Sequence, residues 1–311
     1  MDDRELVADA RAGQRRALAR LLTLVEDGTE ERLRGIVRLL HPHAGGAQLV
    51  GVTGPPGVGK STLTSAMVTR WRGRGRRVAV LAVDPSSPFS GGALLGDRVR
   101  MQDHALDEGV FVRSMASRGQ LGGLSWAAPQ ALLVLDAVGF DVVVLETVGV
   151  GQAEVEVASV ADTTVVTLAP GMGDSVQVAK AGILEVADVF CVNKADRAGA
   201  ERTVHELREM QRLGHGEWLA PICRTVASTS EGVAELVDAV DGHHGWLSGD
   251  GRLQRRRADR ARLQLRELAL GAVRRRLAGV AGGGLFDDLA ARVARGELDP
   301  YTAADRLVAR L

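Results

Sequence analysis

Gly54-Pro55-Pro56-Gly57-Val58-Gly59-Lys60-Ser61-Thr62, preceded by the apolar run Leu49–Thr53, decides how this chain folds. These residues fit the spacing G-x-x-x-x-G-K-[S/T], directly after a predicted strand and at the opening of a predicted helix. The glycines let the backbone wrap an anion with its N–H groups, and the helix N-terminus faces the same anion. Lys60 can reach the β and γ phosphates of a nucleotide, and the Ser61 hydroxyl can bind Mg²⁺. A Gly-rich turn that binds nothing is the alternative; the full match and its correct flanks weigh against it.

Outward from this loop, short β-branched runs alternate with helical segments. Strands are expected at Leu49–Thr53, Val78–Val83, Val110–Arg113, Val142–Leu145, Thr163–Leu168, Val189–Val192 and Ile222–Val226. Such alternation predicts an α/β fold, with a mostly parallel sheet covered by helices on both faces. Residues 1–46 read as a helical extension, with Leu18, Leu21, Leu22, Val25, then Leu33, Ile36, Val37 and Leu40 at helical spacing. Pro42 and Gly45-Gly46 close it. Residues 47–245 hold the nucleotide-binding domain. Residues 246–311 are again helical, and ten arginines stand between 251 and 280 against Asp259 and Glu267. No aromatics are interleaved for stacking on bases, so the Arg run reads as a solvated helix face rather than a nucleic-acid surface.

Asn193-Lys194-Ala195-Asp196 ends another apolar strand. A carboxylate at Asp196 can accept hydrogen bonds from the N1–H and 2-amino edge of guanine, which adenine cannot offer. In a chain with this phosphate loop, N-K-x-D at a strand end points to GTP and GDP rather than ATP. The loop that meets guanine O6 is then expected after the last strand, with Ala227 and Ser228. Between the two motifs, Val142–Leu145 runs into Glu146-Thr-Val-Gly149, where a metal-shell acid and a γ-phosphate-sensing glycine belong. Asp84 opens Asp84-Pro-Ser-Ser-Pro-Phe-Ser-Gly-Gly92, a loop suited to ordering around Mg²⁺ and phosphate. Asp97 and Arg98 follow it; helix capping is the competing role for that pair.

Bulk properties narrow the class. A hydrophobic share of 45% with 25% charged residues suits a globular chain long enough for one large domain plus extensions. Net charge is zero, so nothing global steers the chain to nucleic acid or a membrane surface. The acidic start and the lack of a long apolar run predict a cytoplasmic protein. Cys191 and Cys223 lie in apolar runs without metal spacing and read as small buried hydrophobes. Of 39 basic residues only Lys60, Lys180 and Lys194 are lysines, and Asn193 is the sole asparagine. Lysines kept against such a bias mark places where a compact ammonium is needed and a planar guanidinium fork does not serve. Lys60 and Lys194 sit in nucleotide motifs, which singles out Lys180.

The runs GVTGPPGVGKST, AVDPSSPFSGGALLGDRVRM, ETVGVGQAEVEV, APGMGDSVQ and VNKAD together resemble the MeaB/ArgK family of G-protein chaperones over about residues 40–245. The resemblance implies a P-loop GTPase, of the same class as the nickel chaperones of hydrogenase and urease. Such a protein docks on an adenosylcobalamin-dependent acyl-CoA mutase of the methylmalonyl-CoA mutase type, gates cofactor loading and protects the mutase. It also implies that Asp84, Asp97 and Glu146 belong to the magnesium and switch shell. Pro170–Lys180 would be a further switch, and the C-terminal helices would form a homodimer. A cobalamin adenosyltransferase is a further implied partner. Nothing orients water immediately after Gly149, so Gln152 and Glu154 are expected to act only when a partner organises them. Two other readings stand beside this one: a nickel-type metallochaperone GTPase and an ArgK-like transport-associated ATPase. The close histidine pairs, His41 with His43 and His243 with His244, are the only metal-like signal for the first. Asn193-Lys194-x-Asp196 argues against the second.

Overall fold

The computed structural model describes residues 2–84, 101–116, 127–147, 153–171, 186–212, 217–281 and 284–310. Three N-terminal helices come first: α1 (Asp3–Arg11), α2 (Arg15–Asp27) and α3 (Glu30–Leu40). The sheet region then runs β1 (Gln48–Thr53), α4 (Lys60–Gly73), β2 (Val78–Asp84), β3 (Val110–Ala116), α5 (Ala128–Ala137) and β4 (Val142–Thr147). It continues through α6 (Ala153–Val160), β5 (Thr163–Leu168), β6 (Val189–Asn193), α7 (Ala200–Gln211), β7 (Ile222–Thr225) and α8 (Val233–Ser248). Last come α9 (Arg252–Ala281), α10 (Leu285–Ala294) and α11 (Pro300–Val308). No helix among the described residues is long and apolar enough to cross a membrane.

Among the described residues seven strands form one sheet in the order β3-β2-β4-β1-β5-β6-β7, and every neighbouring pair is parallel. Because strand side chains alternate between faces, each run contributes to two cores. Ala79, Leu81 and Val83 of β2 join one cluster, Val78 and Val80 the other. Val165, Val189 and Cys191 lie on the α4/α8 face, and Val166, Phe190 and Val192 pack with α7. Burial on both faces explains why β4 and β6 read as unbroken apolar runs rather than as an alternating pattern.

Aspartates standing just before three strands fasten the sheet at its N-terminal end. Asp141 accepts from Arg77 N–H at 2.6 Å, Asp162 from Leu49 N–H at 3.2 Å and Asp188 from Thr164 N–H at 2.8 Å. Each carboxylate caps an amide of a neighbouring segment that the ladder alone leaves open. Asp136 does the same for the entry to β1, accepting from Gly45, Gly46 and Ala47 N–H at 2.5, 3.1 and 2.8 Å.

The N-terminal helices are built into the sheet domain. Leu6, Leu18, Leu21, Leu22, Leu33, Ile36 and Leu40 share one core with Leu81, Phe111, Met115, Leu135 and Leu145. Arg113 of β3 reaches back to Glu26 of α2, and Arg15 donates to the carbonyl of Val110 at 2.9 Å. By contacts the chain divides into two compact units, Met1–Leu253 and Gln254–Leu311. Amphipathic helices announce that they need a partner, and here the partner is α5 together with residues of β2, β3 and β4. In the second unit Leu289 of α10 and Ala303 of α11 are buried, while Leu263, Leu265, Leu270 and Val273 of α9 are exposed.

Candidate functional site

The sequence motifs meet at the C-terminal ends of β1, β4, β6 and β7, the edge where open α/β sheets bind ligands. Gly54 leaves β1 with φ +139°, and a Cβ there would come within 2.0 Å of the Thr167 carbonyl. Only glycine lets the loop pass that close to β5. Gly59 ends the loop at φ +93°, and a Cβ on it would lie 2.7 Å from Asn193 Nδ2. Between them Val58 is buried and Pro56 and Gly57 are exposed. Gly54, Pro55, Pro56, Gly57, Val58 and Gly59 thus form an open cradle over the N-terminus of α4, where the first amides and the helix dipole favour an anion.

Lys60 and Ser61 open α4 from inside the protein. Lys60 is 7% exposed, and its Nζ donates to the carbonyls of Gly54 at 2.7 Å and Pro55 at 3.1 Å. The ammonium is thereby held across the loop that its charge would serve. Ser61 Oγ donates to Glu146 Oε1 at 2.5 Å, and Glu146 is 1% exposed. Register explains the meeting: Glu146 pairs with Val52, so β4 sets the carboxylate beside the strand from which the loop departs. A hydroxyl and a carboxylate are hard oxygen donors, and this pair fits Mg²⁺, which takes one or two protein ligands and completes its shell with phosphate and water. Thr62 is exposed on the next position of the helix.

The guanine-type motif is tied to the same loop. Asn193 Nδ2 donates to the Val58 carbonyl at 2.8 Å, and Lys194 Nζ donates to the Gly57 carbonyl at 2.7 Å. Lys194 takes φ +58°, a left-handed conformation that turns the chain sharply at the end of β6. Asp196 follows, exposed. On the far side, Asn193 Oδ1 accepts the Ala227 N–H at 3.1 Å and the Thr225 hydroxyl at 3.1 Å. Ala227 is buried and Ser228 exposed, in a turn closed by Val226 N–H to Glu231 O at 3.0 Å.

The structure therefore brings together the phosphate loop, Ser61 with Glu146, and Asn193 with Lys194 and Ala227. Asp97, Gly149, Gln152 and Lys180 lie outside the described residues, as do the side chains of Asp84, which ends β2, and Glu154, near the start of α6. Thr225 and Cys191 are contacts that sequence reasoning did not reach. Cys191 Sγ lies 3.2 Å from Thr225 Oγ1. A signal for it existed: positions 191 and 193 are two apart on one strand and so share a face.

With this geometry in place, comparison with known proteins is direct. The family model described as methylmalonyl Co-A mutase-associated GTPase MeaB matches residues 18–281. A putative GTPase of Pyrococcus abyssi is 46% identical over 309 residues, covering 98% of this chain and 95% of the relative. GTPase ArgK of Escherichia coli is 39% identical over 259 residues, covering 80% and 78%. Among solved structures, one titled LAO/AO transport system kinase superposes with a TM-score of 0.73 at 29% identity, covering 98% of this chain and 95% of that one. The chain is a GTP hydrolase with a P-loop fold, and it belongs to the MeaB family of methylmalonyl-CoA mutase-associated GTPases.

Proposed function

We propose that this GTPase is Mg²⁺-dependent and attends an adenosylcobalamin-dependent acyl-CoA mutase, gating cofactor loading and protecting the loaded enzyme from inactivation. The observation that carries the reading is the match to a mutase-associated family across residues 18–281, in a chain whose Asn193 and Lys194 side chains are bonded to its phosphate loop. In this scheme the amides of Gly54–Thr62 hold the β phosphate while Lys60 turns from the Gly54 and Pro55 carbonyls to the β and γ oxygens. Ser61 and Glu146 hold Mg²⁺ with help from Asp84 and Asp97; when bound, the ion neutralises charge on the phosphate oxygens. Asp196 accepts from the guanine N1–H and 2-amino group, and the loop at Ala227 and Ser228 faces O6. Gly149 senses the γ phosphate. Gln152, Glu154 and Lys180 come into play once the client docks.

Hydrolysis is then slow alone and faster with the client, and by linkage the client binds the two nucleotide states unequally. The test is GTP turnover with and without an adenosylcobalamin-loaded mutase, paired with mutase binding in GDP and in a non-hydrolysable GTP analogue. Stimulated turnover and a shifted affinity are expected. Identical binding in both states, together with an unstimulated rate, would leave a GTPase without this client.

The nickel-chaperone reading gains nothing from the geometry. Among the described residues no three His, Cys, Asp or Glu side chains cluster as a metal ion would need, and Cys191 and Cys223 lie in the β6–β7 region, where burial pushes their thiols up to about 12 and about 11. His243 is buried beside Thr163, with Nδ1 at 3.0 Å from its hydroxyl, and Asp188.

The same proposal makes residues 246–311 a dimerisation arm. Leu263, Leu270 and Val273 are 55%, 40% and 49% exposed on α9, and apolar surface of this kind on a long helix calls for a partner. Leu263→Glu combined with Leu270→Glu is expected to give a monomer by light scattering that still binds GDP. A double variant that remains dimeric would move the interface elsewhere.

A further inference from the structure

The orientation of the Asn193 amide can be assigned from its partners alone. Oδ1 receives the Ala227 N–H, which can only donate, and Nδ2 meets the Val58 carbonyl, which can only accept. The amide is therefore not flipped, and the Thr225 hydroxyl 3.1 Å from Oδ1 must be the donor in that pair. A threonine hydroxyl carries one hydrogen. With that hydrogen spent on Asn193, the 3.2 Å contact between Thr225 Oγ1 and Cys191 Sγ has one consistent direction: the thiol donates. A directed chain results, from Cys191 S–H to Thr225 O–H to Asn193, and on to the phosphate loop at Val58.

We propose that Cys191 is a positioning residue of the nucleotide site, its S–H holding Thr225 and thereby the Asn193 amide in the orientation that joins the base-reading strand to the phosphate loop. Packing alone does not call for a cysteine here, since Val189 fills the equivalent place one step earlier on the same face of β6. Burial, the largest influence, pushes the thiol up to about 12, so the donor proton is present throughout the neutral range. Without it Thr225 is free to turn toward another acceptor, and Asn193 Oδ1 then keeps only the Ala227 amide. Cys191 does not touch the nucleotide. Its effect falls on binding, through the placement of Val58 and the base loop.

The inference rests on reading Asn193 as part of the base site, and the chain supplies an unusual probe of it. Asn193 is the only asparagine among 311 residues, so protein labelled with ¹⁵N-asparagine shows one side-chain NH₂ pair by NMR. In the nucleotide-free full chain, Cys191→Val should shift that pair and speed its hydrogen exchange, while Cys191→Ser restores both. GDP affinity should fall about threefold to tenfold in Cys191→Val, the scale of one lost hydrogen bond. The hydrolysis rate at saturating GTP should stay within about twofold, because the loss is one of binding. Cys191→Val with Thr225→Val should be no worse than Thr225→Val alone, since the thiol acts through the hydroxyl. Cys191→Ala removes the same proton with less bulk and replaces the valine variant should that fail to fold. An Asn193 signal unmoved by the loss of the thiol, a serine variant that behaves like valine, or losses that multiply in the double variant would overturn the assignment. If Asp196→Asn leaves nucleotide preference unchanged, the base-site reading falls, yet the Asn193 signal in nucleotide-free protein still decides the relay.

Discussion

Asp196→Asn should exchange guanine for xanthine preference, with GTP affinity falling on the order of a hundredfold. Guanine offers two donors, N1–H and the 2-amino group, to a carboxylate that can accept both. An asparagine presents one acceptor and one donor, so the amide N–H meets the guanine 2-amino group and a donor is left without an acceptor. Leaving such groups unmatched in a closed site costs about 1–3 kcal/mol each. Xanthine has a carbonyl where guanine has the amine, and that carbonyl suits the new amide. Because Asp196 is exposed in the turn that follows β6, the exchange should leave the fold intact. Competition of XTP and GTP for the variant is the measurement. A variant that still prefers GTP would mean that the base is read elsewhere.

Glu146→Gln is expected to lower Mg²⁺-dependent hydrolysis about tenfold to a hundredfold, by the scale known for residues that ligate or orient a metal. Glutamine is nearly the same shape, and its carbonyl can still accept the Ser61 hydroxyl, so the 2.5 Å contact survives in kind. What disappears is the negative charge that a divalent cation needs at a position only 1% exposed. The Mg²⁺ concentration for half-maximal turnover should rise accordingly, while GDP binding without Mg²⁺ should change little. An unchanged Mg²⁺ titration would remove Glu146 from the metal shell and make the Ser61 contact a matter of packing.

The sheet was legible because burial on both faces leaves a plain mark: runs such as Val142–Leu145 and Val189–Val192 have no polar face to interrupt them. Strand ends were less so. Asp84, Thr147 and Asn193 belong to their strands by ladder bonding, and a polar side chain at a strand end gives no sign of that. The phosphate loop was readable because its glycines are demanded by backbone geometry, as at Gly54 against Thr167. Ala227 shows the opposite case. Its part in the site is a main-chain N–H to Asn193, and any residue other than proline could supply one. The helices of residues 3–40 were readable by period, but not their destination. A stripe of leucines specifies that something apolar must cover it, and the covering residues lie far along the chain.

That last feature bears on synthesis. Leu6 through Leu40 leave the ribosome long before Phe111, Met115, Leu135 and Leu145, with which they share a core. At about 5–20 residues per second the wait until Leu145 is made lasts roughly 5–20 s. Helices of 9, 13 and 11 residues are too short to be stable in water by themselves. Their apolar stripes must therefore remain in a loose, solvent-exchanging cluster, or under the cover of a chaperone, throughout that interval. The earliest-made part of the chain is thus locked only after β4 has been made, and a pause in translation soon after Leu145 would come just as the β2–β3–β4 face becomes available to close over it.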